Sequence, residues 1–89
     1  MAQIRFTQNI QRHVPCPPAH VTASTVREAL DAYFEIHSRA KGYVLDDQRA
    51  LRKHMAVFIN GVQIKDRDTL SDTLQSDDLL DVMQALSGG

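Results

Sequence analysis

Apolar and polar side chains alternate over Gln3-Ile4-Arg5-Phe6-Thr7-Gln8, the period of two that marks a strand covered on one face, here the face of Ile4 and Phe6. Prolines at 15, 17 and 18 interrupt the pattern in VPCPPAH. Lacking the donor a ladder needs, they predict a loop before a short second strand around Ala19 to Ala23. The period then changes. Val26, Ala29, Leu30, Tyr33, Phe34 and His37 recur at helical spacing behind Thr25-Val26-Arg27-Glu28, which fits a capping box. The stripe predicts a helix of about three turns reaching Arg39, with Gly42 as its stop.

From Lys41 to Lys53 the pattern weakens, and Leu45, Arg49 and Arg52 are expected on a short irregular helix. It sharpens again at Met55. Ala56-Val57-Phe58-Ile59, Asn60-Gly61 and Val62-Gln63-Ile64 read as strand, tight turn and strand, because Asn-Gly readily supplies the positive φ angles of a two-residue hairpin. Asp68 to Leu74 is a turn-rich connection, and Ser76-Asp77-Asp78 a second turn. The final strand should turn Leu80 and Val82 inward and Leu79, Asp81 and Met83 outward. No internal repeat or interdomain linker is visible.

The order strand, strand, helix, strand, strand, strand fits an α+β fold in which one main helix crosses one face of a mixed four- to five-stranded sheet. The first and last strands can pair in parallel at its centre, because the chain between them is long enough to cross over. That is the β-grasp, ubiquitin-like architecture, expected here over residues 1–86 with a flexible Gly-Gly tail at 87–89.

Composition narrows the function. With 89 residues, 43% of them hydrophobic, the chain can bury one small core but not the walls of a deep catalytic cleft. Ten Lys and Arg against eleven Asp and Glu give a net charge of -1, so no overall field favours nucleic acid or an anionic membrane, and neither is expected as a partner. The single cysteine excludes an internal disulfide. MAQIRFTQN is not a signal-like apolar run, and no stretch approaches the roughly 20 apolar residues of a membrane span. The expected location is the cytoplasm.

Candidate chemistry within the body is sparse. His13, His20, His37 and His54 lack metal-ligand spacing with one another or with Cys16, so no bound metal or cofactor is expected. Cys16 has only His13 nearby to activate it and reads as an incidental thiol. Asp46-Asp47 and Asp77-Asp78 read as turn carboxylates, Ser71 has no local base, and the run Arg49, Arg52, Lys53, His54 reads as a solvated face with partner docking as its alternative. No convergent acid, base or nucleophile appears, so the protein is not expected to be an enzyme.

Three stretches carry a family resemblance: TVREALDAYFEI after the short second strand, VFINGVQI, and DDLLDVMQALSGG, in which the last strand runs into Gly88-Gly89. The chain resembles the ThiS/MoaD sulfur-carrier proteins along nearly its whole length. The extra segment AKGYVLDDQRALRKH is more similar to MoaD-type proteins and to the carriers of bacterial cysteine synthesis than to short ThiS. Gln84-Ala85 stand where many members have proline.

The resemblance implies a protein cosubstrate. An E1-like adenylating enzyme would use ATP to convert the Gly89 carboxylate to an acyl-adenylate. A sulfur donor would then replace AMP, and the thiocarboxylate would pass its sulfur to an acceptor enzyme of molybdenum cofactor, cysteine or other metabolite biosynthesis. Glycine at 88 and 89 would let the tail thread a narrow channel, with Ser87 beside them in tail recognition. Fixing such a tail costs on the order of 1–2 kcal/mol per residue, so the body must supply affinity. Phe58 and Met83, beside Arg5, are the expected partner-binding patch on the uncovered face of the sheet. Two rival readings share these features: a ubiquitin-like modifier joined to lysines through Gly89, and a β-grasp interaction module whose tail is idle.

Overall fold

The structure, a computed structural model, describes residues 1–84. The elements are β1 (Ala2–Phe6), α1 (Gln8–Gln11), β2 (Ala19–Val21), α2 (Val26–Ile36), α3 (Ser38–Val44), β3 (Met55–Ile59), β4 (Val62–Gln63) and β5 (Leu79–Gln84). They form one five-stranded sheet of order β2-β1-β5-β3-β4. β5 lies at the centre, parallel to β1 and antiparallel to β3.

The alternation read from the sequence sets the two faces. Ile4, Val57, Leu80 and Val82 are fully buried, as are Val26, Ala29 and Leu30 of α2, so the apolar stripe of the helix closes over the inner face of the sheet. Tyr33 joins the layers: its ring lies 4.9 Å from Phe6, and its hydroxyl donates to the Pro17 carbonyl at 2.6 Å. Burying each large apolar side chain contributes about 1.5–3 kcal/mol.

α2 starts as its cap predicts, with one shift of partner. Thr25 accepts from the Glu28 N–H at 3.2 Å, and the Glu28 carboxylate takes the N–H and hydroxyl of Ser24, at 2.9 and 2.8 Å, as its main partners. Those donors hold the Glu28 carboxyl below the usual range. The Asn60-Gly61 turn has φ of 50° and 86°, the two positive angles a tight hairpin requires.

Five expectations are corrected. The main helix ends at Ile36, not Arg39: His37, at φ -114° and ψ 63°, leaves the helical region and redirects the chain into α3. Gly42 lies inside α3 and stops nothing. No helix forms across Leu45, Arg49 and Arg52; Asp46 accepts from the N–H groups of Gln48 and Ala50, which closes a side-chain turn there, and Leu45 bridges Leu51. The second strand stops at Val21 and β4 has two residues. α1, a single turn, is an addition that the hydrophobic pattern does not announce; it is held by Ile10, which is fully buried.

Candidate functional site

β5 carries the chain through the middle of the sheet to Gln84, the last described residue, and its surroundings define the site. On its outer face Asp81 stands opposite Arg5 on one side and Phe58 on the other, while Met83 stands opposite Ala56. Phe58 and Met83 are therefore diagonal neighbours across β3 and β5, a relation within reach of long side chains. Both are half-buried.

Arg5 completes the row but not as a free cation. Its Nε donates to Asp81 Oδ1 at 2.9 Å and its second donor reaches Oδ2 at 3.3 Å, a forked pair that raises the guanidinium's pKa through the hydrogen bonds and the charge of Asp81. The structure thus brings Arg5, Phe58 and Met83 onto one face, with Asp81 between Arg5 and Phe58. The register that pairs Arg5 with Asp81 lies beyond local sequence reading, although both were placed outward by alternation. Gly88, Gly89 and Ser87 lie outside the described residues.

The end of β5 is gripped by side chains that the sequence pattern does not mark. Asn9 of α1 donates to Gln84 Oε1 at 3.0 Å, and the Tyr43 hydroxyl of α3 lies 3.5 Å from the same oxygen. The His13 ring stacks on Tyr43 at 5.5 Å. On the other side Gln84 pairs with Met55, and Gly42, Tyr43, Arg52, His54, Met55 and Gln84 line one depression. Two short helices thus frame the point from which residues 85–89 continue.

Cys16 is buried, its Sγ 3.4 Å from the Val14 carbonyl, and burial pushes its thiol up, away from the nucleophilic thiolate. His37 packs on Tyr33 at 4.6 Å, and His20 and His54 are exposed. Asp78 ties the turn before β5 to Asn60, and Ser71 donates to Asp66. Asp66 accepts from the N–H groups of Asp68, Thr69 and Ser71 and from both hydroxyls, and these donors hold its carboxyl far below the usual range. The basic run divides: Arg49 turns to Asp31 at 2.5 Å and Arg52 to the Gly42 carbonyl at 2.8 Å. Among the described residues no group of three or more His, Cys, Asp or Glu converges as metal ligands, and no helix is long and apolar enough to cross a membrane.

A mixed sheet with parallel central strands β1 and β5, crossed by α2 and delivering its last strand to one end of the molecule, defines a ubiquitin-like β-grasp protein. The sequence profile of the ThiS family matches residues 17–89, and the chain belongs to that family. No curated protein matches it.

Solved structures share the fold along the whole chain. SAMP1 from Haloferax volcanii is 23% identical with a TM-score of 0.81, covering 99% of this chain and 98% of that one. The BexX/CysO complex of Amycolatopsis orientalis supplies a match at 18% identity and TM-score 0.82, covering 100% of both chains. A molybdopterin converting factor subunit 1 of Pyrococcus furiosus, assigned as such provisionally, is 11% identical with a TM-score of 0.70, covering 96% and 97%. The chain therefore has the fold of ubiquitin-like sulfur carriers and modifiers, small proteins that are generally not enzymes themselves.

Proposed function

We propose that this protein is a sulfur carrier whose working group is the carboxylate of Gly89. The observation that carries the reading is the ThiS-family match itself, which extends through residue 89 and so takes in Ser87-Gly88-Gly89. An E1-like enzyme joins the Gly89 carboxylate to the AMP moiety of ATP, releasing pyrophosphate. A sulfur donor then attacks the acyl carbon, AMP leaves, and a thiocarboxylate remains. The acceptor's substrate takes the sulfur, and water, attacking the acyl carbon as the C–S bond breaks, regenerates the carboxylate. ATP is the activating enzyme's substrate and is not held by this chain.

The body's part is to deliver the tail. β5 is paired with β1 as far as Val82 and with β3 as far as Gln84, so the strand resists being pulled out while the residues beyond it enter a channel. Phe58 and Met83, flanked by the Arg5–Asp81 pair, form the docking patch for the activating enzyme, since apolar side chains rimmed by charge are the usual anatomy of such a surface. That the matched Amycolatopsis structure is a complex with BexX supports the idea that a carrier of this fold works against a partner protein.

The test is the intact mass of protein isolated under mild conditions. Exchange of one oxygen for sulfur, localised by fragmentation to the last residue and lost when Gly88-Gly89 is deleted, is the expected result. Localisation matters because oxidation of any of the three methionines adds a nearly equal mass. A free acid that persists with activating enzyme, ATP and sulfur donor present would overturn the proposal.

A second reading has its own support, since matched structures of the same fold carry the name small archaeal modifier protein. In it the adenylated Gly89 forms an isopeptide bond with a lysine amine, and AMP leaves. Conjugates of higher mass in cells, absent when Gly88-Gly89 is removed, would select the modifier.

A further inference from the structure

The two ends of β5 differ in charge. The strand starts beside Asp77-Asp78, where the Asp78 carbonyl accepts from Gln3 and its carboxylate from Asn60. It ends at Gln84, framed by three segments: residues 6–13 through Asn9, α3 through Tyr43, and residues 52–58 through the Met55–Gln84 pair. These three segments hold Arg12, Arg39, Arg52 and Lys53, with His13 and His54, and contain none of the chain's eleven Asp and Glu. In a chain of net charge -1, that is a marked segregation.

The placement of the cations follows from the fold. Arg12 caps the end of α1 next to His13, which stacks on Tyr43. Arg39 precedes Tyr43 by one helical turn, on the same side of α3. Arg52 and His54 line the depression that contains Gln84, and Lys53 lies between them. Lys41 is not of this group; it lines a groove with Asp31 and Glu35. Arg12, Arg39, Arg52 and Lys53 are all exposed. Among the described residues the three ion pairs engage Arg5, Arg27 and Arg49, and none of these four.

We propose that Arg12, Arg39, Arg52 and Lys53 form a cationic collar around the point where the tail leaves β5, and that it docks on an acidic rim at the mouth of the activating enzyme's tail channel. The inference rests on the carrier reading for the identity of that partner. Collar and apolar patch divide the work: the patch supplies contact area, whereas the collar steers and orients the tail before it enters. Charge arranged around a narrow entrance acts mainly on encounter and register. A protein rim fits better than a nucleic acid, because the chain as a whole, at net charge -1, lacks the positive balance that phosphate binding needs.

The test is the triple variant Arg12→Glu, Arg39→Glu, Lys53→Glu. None of the three side chains makes a hydrogen bond among the described residues, so the fold should survive, and a thermal melt checks it. Affinity for the source organism's E1-like enzyme is measured by titration, and adenylation separately by pyrophosphate release. The variant should bind about tenfold more weakly at low ionic strength, with a flatter salt dependence and unchanged turnover at saturation. Lys65→Glu, a single reversal of the same kind beyond the far hairpin strand, should bind like the parent.

Equal affinity of the triple variant and the parent at low salt would overturn the collar and leave the carrier reading intact. Absence of adenylation in both proteins would overturn the carrier reading, while the affinities would still decide the collar. Binding of a single-stranded RNA oligomer as tight as that of the enzyme would overturn it in favour of a polyanion.

Discussion

Asn9 donates to the side-chain carbonyl of Gln84 at 3.0 Å across 75 positions of sequence, tying a one-turn helix to the last described residue of the central strand. The bond anchors the Gln84 side chain at the end of β5. Tyr43 backs the same oxygen, so the end of β5 is held from both sides.

Asn9→Ala should therefore cost about 1 kcal/mol, the usual loss for one neutral hydrogen bond, in chemical denaturation. Amide exchange should quicken at Gln84 more than at Leu80. Equal protection of both amides in the variant and the parent would show that the grip is not structural.

Met83→Asp places a carboxylate on the same outer face as Asp81, at a half-buried position. Stability should change by only about 0.5 kcal/mol, as for most surface substitutions. KM for the activating enzyme should rise while turnover at saturation holds. Activation kinetics identical to the parent's would remove the Phe58–Met83 patch as the docking surface.

Two glycines should respond in opposite directions. Gly61 sits at φ +86°, so Gly61→Ala should destabilise by roughly 1–2 kcal/mol although nothing lies within 4 Å of the added methyl. Gly42 lies in a helix with the same open surroundings, and Gly42→Ala should stabilise by about 1 kcal/mol through helix propensity. Paired denaturation curves check both signs.

Asp66 links stability to acid. Its folded carboxyl is depressed by the hydroxyls of Ser71 and Thr69 and by the N–H groups of the same two residues, whereas the unfolded group titrates near pH 4. The stabilisation is thus complete above the unfolded value and is lost as pH falls below about 4 toward the depressed folded value. Asp66→Asn should flatten the acid limb of the stability profile; an unchanged slope would show that the group does not control it.

Much of the fold was legible because its signals are local. The alternation in β1 and β5 names Ile4, Leu80 and Val82 as core, and Thr25, Glu28, Asn60 and Gly61 mark the helix start and the hairpin by backbone chemistry acting over three or four residues. The patch residues Phe58 and Met83 follow from the same rule, because period two assigns a face without knowledge of the partner strand. The family stretch ending in Gly88-Gly89 is likewise written in the order of residues.

Register and the short helices are another matter. α1 and α3 have four and seven residues, too few for a hydrophobic period to declare itself or for a helix to stand alone; they exist because Ile10, Ala40 and Val44 are buried against the rest of the molecule. The Arg5–Asp81 fork requires β1 and β5 to align in parallel across the whole chain. The gathering of Arg12, Arg39, Arg52 and Lys53 from three separate segments around the end of β5 is equally invisible in a linear reading. Short-range chemistry chose the elements and their faces. Which side chains meet at the end of β5 was chosen by packing, because only burial of a shared core brings segments from opposite ends of the chain together.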